Sequence, residues 1–167
     1  MDYEIQAALP QDMEAVGLLY TQSWQRTYRG LLPDALLDSM TAQASAGKWA
    51  RYLSQPGQYL YCAKAEGQLL GFAACKPCSM LEGCLLLDSL HVAPAYGGHG
   101  IGSALIRRCA QLARKLGYPR LAVYVVNGNG HAQRLYQRLG AKILFDFLDP
   151  VDQAPSWALC WDDLSQL

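Results

Sequence analysis

Apolar and polar positions along this chain follow two periods, and the two interleave. Tyr3 to Leu9 alternates in part and predicts a strand. Between Gln11 and Arg29, Met13, Val16, Leu19, Tyr20, Trp24 and Tyr28 recur at helical spacing, and Gly30 closes that stretch. Pro33-Asp34 opens a second helical stretch running to about Leu53, with a soft break near Gly47. Pro56-Gly57 marks a turn. Tyr59–Lys64 and Leu69–Cys75 read as strands joined at Glu66-Gly67, a hairpin signal, and Glu82–Val92 reads as a long apolar strand.

The second half is more regular. Ile101, Ala104, Leu105, Cys109, Leu112, Ala113 and Leu116 form a 3.6-residue stripe closed by Gly117 and Pro119. Leu121–Val126 is a continuous apolar run, the signature of a strand buried on both faces. His131–Leu139 predicts a short helix ending at Gly140, and Ile143–Leu148 and Trp157–Trp161 predict two closing strands. The order is β-α-α-β-β-β-α-β-α-β-β. It predicts a single α/β (α+β) domain over residues 1–167, with no repeat, linker or low-complexity tract.

Composition narrows the class. The 167 residues are 51% hydrophobic and 17% charged, which excludes a disordered chain. The 14 basic and 14 acidic residues cancel, which argues against a generally basic nucleic-acid binder. No apolar run approaches the ~18 residues of a membrane span. The acidic opening Met1-Asp2-Tyr3-Glu4 is unlike a secretory signal, so a cytoplasmic location with six reduced cysteines is expected. Cys75-Lys76-Pro77-Cys78, followed by Cys84, lacks the second pair of ligands that a structural zinc site needs. Free thiols and no metal are the expectation.

The zero net charge hides an asymmetry. No carboxylate lies between Asp88 and Asp146, a stretch that holds Arg107, Arg108, Arg114, Lys115, Arg120, Arg134, Arg138 and Lys142. Such segregation points to a segment that meets an anion, or to one that pairs with acidic neighbours within the fold. Within the same stretch, four of the six residues from Gly97 to Gly102 are glycine, placed between a buried strand and an amphipathic helix. Glycines there let the backbone approach a ligand and turn N–H groups outward, and the helix dipole adds to the pull on an anion. A phosphate or pyrophosphate is the ligand this arrangement suits. The cluster lacks the Gly-Lys-Ser/Thr of a nucleotide P-loop. A Rossmann fingerprint counted from Gly98 and Gly100 ends on Ser103 and lacks its distal carboxylate.

The run Leu90-His91-Val92-Ala93-Pro94-Ala95-Tyr96-Gly97-Gly98-His99-Gly100-Ile101-Gly102 resembles the acetyl-CoA pyrophosphate loop of the GNAT N-acetyltransferase superfamily, Arg/Gln-x-x-Gly-x-Gly/Ala. Its Gly-x-Gly falls on Gly100, Ile101 and Gly102; the Arg/Gln position is Gly97, and the residue before the first motif glycine is His99. Asn129, Ala132, Tyr136 and Gly140 match the second motif of that family, Asn-x-x-Ala-x-x-x-Tyr-x-x-x-Gly. The resemblance spans nearly the whole chain and is strongest over residues 84–141.

That resemblance implies a mixed, mostly antiparallel sheet of about seven strands with about four helices, splayed between the fourth and fifth strands. Acetyl-CoA would be the cosubstrate, held by a core of residues about 82–141. Leu90, His91, Val92, Gly97, Gly98, His99, Gly100, Ile101, Gly102, Ser103, Asn129, Ala132 and Tyr136 would form its site. Tyr136 would protonate the departing sulfur. The family's glutamate base falls near Leu86, so the base is open; Asp88 is the candidate on that strand, as base or amine anchor. Alternation places His91 on the opposite face from Asp88.

The acceptor would lie against the helices of residues about 11–54 and the last loop, with Trp24, Tyr28 and Asp149 as candidate contacts. Asp146 and Asp152 sit close to Asp149 in sequence, so a cationic small-molecule or peptide amine suits the rim. Neither a nucleic acid nor a membrane is an expected partner, and a homodimer is left open. The alternative function is an acyl-CoA-binding or regulatory module without turnover.

Overall fold

The computed structural model describes every residue, 1–167. The strands are β1 Glu4–Ala7, β2 Tyr59–Ala65, β3 Gln68–Pro77, β4 Cys84–Val92, β5 Arg120–Val126, β6 Lys142–Leu148 and β7 Pro155–Trp161. They form one sheet in the order β1-β2-β3-β4-β5-β7-β6. Only β4 and β5 pair in parallel; every other neighbouring pair is antiparallel. The helices are α1 Met13–Thr27, α2 Asp34–Ser39, α3 Ala42–Ser54, α4 Ile101–Lys115 and α5 Gly130–Arg138. No helix is long and apolar enough to cross a membrane.

The periodicities explain which face each element buries. The stripe of α4 puts Ile101, Leu105, Cys109 and Ala113 onto one sheet face, against Ala73, Leu85, Leu87 and Val123, and Tyr136 of α5 joins the same core. On the opposite face, Val16, Leu19 and Tyr20 of α1 meet Trp49 and Tyr52 of α3 over Cys62, Phe72 and Ala74. α1 and α3 cross closely because Gly17 has no side chain: a Cβ there would lie 2.4 Å from the Ala46 nitrogen.

The second helical stretch is in fact two helices, so the chain has five rather than about four. The break falls at Met40-Thr41, not near Gly47. Thr41 is extended and its hydroxyl accepts from the Ala44 N–H at 3.1 Å, which caps α3 and ends the run there. Gly47 lies inside α3.

Two irregularities in β4 shape the molecule. Its parallel pairing with β5 runs from Cys84↔Arg120 to Leu87↔Val123 and stops. Beyond that point the strands splay, as the resemblance implies. Against β3, Ala74 pairs with Ser89 and Cys75 with Leu87, so Asp88 is an extra residue in a β-bulge.

Candidate active site

The splay opens a cleft of about 460 Å³ between β4 and β5, capped by the end of α1 and the start of α5. Trp24, Tyr28, Asp88, Leu90, His91, Val92, Gly97, Gly102, Asn129, Ala132 and Tyr136 all line it. Residues drawn from distant parts of the chain are thus brought to one place. Gly98, His99, Gly100, Ile101, Ser103 and Asp149 are not among the lining residues.

The glycine loop lies at the head of α4. Gly98 and Gly100 have φ of +77° and +76°, a left-handed backbone that L side chains rarely adopt. A Cβ on either would meet no protein atom within 4 Å, so the loop faces open space. The first hydrogen bond of the following helix is Ala104 N–H to the Gly100 carbonyl, at 3.0 Å. The backbone N–H groups of Gly98, His99, Gly100, Ile101, Gly102 and Ser103 donate to no protein acceptor. Six free donors at the positive end of a 15-residue helix are an anion cradle. The side chains here do different work. The His99 Nδ1–H donates back to the Gly97 carbonyl at 3.0 Å, and the Ile101 side chain is an anchor buried in the core.

The bulge changes the reading of β4. Asp88 lies 3.6 Å from Lys76 and beside Tyr52, on the face covered by α1 and α3. His91 packs edge-on to Tyr20, with ring centroids 5.4 Å apart, and against Phe72 on that same face. Strict alternation would have separated the two; the extra residue resets it, so Asp88 and His91 share a face. His91 Nδ1 is 2.7 Å from the Ser23 hydroxyl. Burial, then the nearby Lys48 and Arg26 charges, lowers its pKa to about 3, so the imidazole is neutral at physiological pH. Past Leu87 the β5-facing backbone edge of β4 is unpaired, while Leu90 and Val92 turn toward the α4 core.

Asn129 caps α5, its side-chain oxygen accepting from the Ala132 N–H at 3.4 Å. Tyr28 lies beside it. Tyr136 is 6% exposed, with its ring edge-on to Trp161 at 5.7 Å. Its hydroxyl has no hydrogen-bond partner in the protein, yet it is not sealed in the core. Burial, with Tyr28 close by, raises the Tyr136 pKa well above its ordinary value, so the phenol stays protonated.

On the last loop, the Asp149 carboxylate accepts from the Val151 N–H at 2.8 Å and folds its own turn. Asp152 is the loop carboxylate whose charge is felt at Tyr20 and Tyr28. Ser23, Arg26, Thr27, Tyr124 and His131 also line the cleft, beyond the residues the motifs mark. Ser23 and Thr27 sit four residues apart, on the turn of α1 that carries Trp24 and Tyr28, so helical spacing could have found them. Nothing local marks Tyr124. The Cys75–Cys78 pair is divided between faces: Cys75 lies in the α4-side core and Cys78 against the opposite cluster. All six cysteines are free thiols.

The acetyltransferase (GNAT) family model matches residues 19–141, and the chain belongs to that family; it is an N-acetyltransferase. An uncharacterised N-acetyltransferase of Mycobacterium tuberculosis is 28% identical over 114 residues, covering 66% of this chain and 70% of the relative. Streptothricin acetyltransferase of Streptomyces lavendulae is 40% identical over 76 residues, 46% of this chain and 40% of that protein. Among solved structures, the PaiA N-acetyltransferase of Thermoplasma acidophilum in complex with coenzyme A has a TM-score of 0.79 at 21% identity, covering 96% of this chain and 98% of that one. An acetyltransferase of Salmonella typhimurium with acetyl-CoA has a TM-score of 0.73 at 17% identity, with coverage of 96% and 94%.

Proposed function

We propose that this enzyme transfers the acetyl group of acetyl-CoA directly to a primary amine of a small molecule or peptide, both substrates being bound at once. The observation that carries the proposal is the run of six free backbone N–H groups at one mouth of a cleft whose wall presents an unpartnered tyrosine hydroxyl. The coenzyme complex of the Thermoplasma structure, which shares the fold, supports the same occupant.

The residues present fit that cosubstrate. The Gly98–Ser103 backbone and the α4 dipole would hold the pyrophosphate. The free edge of β4 from Leu90 to Val92 would pair with the pantetheine arm like an added strand, with Gly97, Ala132 and Asn129 shaping the slot. Acetyl-CoA supplies an acetyl thioester, whose carbonyl the free β4 N–H groups would polarise. An oxyanion donor of that kind contributes ~2.7–4 kcal/mol. Tyr136 then gives its phenolic proton to the sulfur as the thiolate leaves.

The acceptor would enter from the α1 side. Trp24 and Tyr28 wall that end, with Asp152 beside them and Asp149 shaping the loop. Asp88, on its bulge, would anchor the amine or take its proton. Neutral His91, tied to Ser23, holds the β4 edge against α1.

The test has two arms. Isothermal titration should give one CoA site per chain, weakened by phosphate. A panel of spermidine, lysine amide, a free-N-terminal peptide and streptothricin is then incubated with acetyl-CoA, and products are read by mass. The proposal expects at least one cationic amine to be acetylated, faster at low ionic strength. Absence of CoA binding, or binding without acetylation of any primary amine, overturns it.

A further inference from the structure

Acetyl transfer leaves one group of side chains without a role: the thiols. Cys75 and Cys109 are fully buried in the α4-side core, out of reach of solvent. The second group sits on the opposite face, where Cys84 and Cys160 lie with Leu86 and Ala122, and Cys78 packs against them. Its geometry is more telling.

The Cys78 N–H donates to the Cys84 carbonyl at 3.1 Å, and the next residues along, Pro77 and Leu85, are Cα partners. Cys78 and Cys84 are therefore opposed across antiparallel chains and point to the same face. Residues opposed across such a hydrogen bond have Cα atoms about 5.5 Å apart. That lies inside the ~4.4–6.8 Å range a disulfide spans. Cys160 lies on β7, two strands from Cys84 and offset along them, because Cys84 pairs with Arg120 of β5 and Cys160 with Ala122; the two thiols neighbour each other, but their backbones stand apart. Two strand spacings are about 9.5 Å, beyond that range. Cys84 is 1% exposed, whereas Cys78 is half-buried and open to a reagent.

Cys78 is also tied to the cleft. Its Sγ lies 3.1 Å from the Tyr124 hydroxyl. Tyr124 lines the cleft with Asp88, and its ring leans on Phe147 with centroids 4.9 Å apart.

We propose that Cys78 and Cys84 form a reversible disulfide by exchange with a small disulfide such as oxidised glutathione, and that this releases Tyr124 and reshapes the Asp88 end of the cleft. The Cys78 thiolate attacks one sulfur of glutathione disulfide and expels a glutathione thiolate, leaving a mixed disulfide. The Cys84 thiolate attacks the Cys78 sulfur and expels the second glutathione. Two protein thiols are oxidised, one glutathione disulfide is reduced to two thiols, and the two thiol protons pass to the departing thiolates. In the product the Cys78 sulfur is drawn toward Cys84, and the Tyr124 hydroxyl loses its partner.

The test needs no acetyl acceptor, so its failure is distinct from failure of the acetyl-transfer proposal. The reduced full chain is treated with glutathione disulfide and its intact mass is read. Tyrosine residues carrying 13C at Cζ report the hydroxyl environment, with Tyr124 assigned through Tyr124→Phe. Parent and Cys160→Ser should each lose two hydrogens, and cyanogen bromide cleavage at Met80 should leave the two fragments joined. Cys78→Ser and Cys84→Ser should not form that link. The Tyr124 resonance should move on oxidation and return with dithiothreitol. A stable glutathione adduct without the internal link, a link surviving in Cys78→Ser, or a Tyr124 resonance that stays put overturns the proposal.

Discussion

Replacing Tyr136 by Phe isolates one oxygen atom. The ring's edge-on contact with Trp161 and its place in the core remain. The hydroxyl bonds to no protein group, so its removal leaves no donor or acceptor stranded. Stability should therefore stay within about 0.5 kcal/mol of the parent. CoA affinity should be nearly unchanged, because the cradle lies elsewhere. The rate should fall. A positioned acid typically contributes ~10²–10⁴-fold. A thiolate leaves fairly well unaided, with a reference pKa near ~8.5, so the low end applies. About 10²-fold on turnover corresponds to ~2.7 kcal/mol of barrier. The raised Tyr136 pKa sets the pH profile: the acid form persists through and above neutrality, so no loss of rate from its ionisation should appear below pH ~10. The assay is CoA formation, followed chromatographically at saturating acetyl-CoA. Chromatography avoids thiol reagents that would also titrate Cys78. A Tyr136→Phe rate within roughly threefold of the parent, far short of a positioned acid, would refute the assignment and leave Tyr136 as packing.

Two further outcomes are expected. Gly100→Val forces a β-branched residue into φ of +76°, so the fold should lose about 1–2 kcal/mol in urea titrations, while CoA affinity drops by more than about tenfold; unchanged affinity in the folded variant would remove the cradle from the site. The His91 pKa is depressed to about 3, so the unfolded chain takes up its proton first as pH falls. The stability this residue contributes is present above pH ~6.5 and lost as pH falls toward 3, amounting to a few kcal/mol; urea midpoints between pH 7 and 4 should fall in the parent and less steeply in His91→Gln.

The glycine cradle could be read from sequence because it depends on local backbone. Left-handed φ at Gly98 and Gly100 and outward N–H groups need no partner strand. Tyr136 and Asn129 stand out only because, with Ala132 and Gly140, they match the second motif that the resemblance to the GNAT family supplies; that motif occupies one short helix and its cap, so it too is local. The α2–α3 break was partly legible: Thr41 is a capping residue, but Gly47 is the stronger-looking breaker. Gly47 stays helical because α3 is fixed by packing on α1, where Gly17 meets Ala46. The acidic rim was the least legible part. Asp149 and Asp152 both fold the turn, accepting from the Val151 and Ala154 N–H groups, but only the Asp152 charge reaches the tyrosines, and loop geometry decides that.

The bulge at Asp88 could not be read from β4 alone, because a bulge is a mismatch in register between two strands. It is also the feature on which the site depends. The parallel pairing with β5 ends at Leu87↔Val123, one residue before the bulge. A bulged strand bends and twists more strongly. The continuing β4 segment can therefore keep its bonds to β3 while leaving β5. That departure opens the cleft, frees the backbone edge from Leu90 to Val92, and turns Asp88 and His91 to the side from which an acceptor would enter. Deleting Asp88 would remove the bulge, and the bend it allows, while Ser89–Val92 kept their β3 partners, because Leu87 and Ser89 already pair with the adjacent Cys75 and Ala74. His91 would stay beside Ser23 and Tyr20, and Leu90 and Val92 on the α4 core, but the Asp88 carboxylate and the departure from β5 would be lost. The cofactor edge and the acceptor face thus share one structural cause, a single extra residue in the central strand.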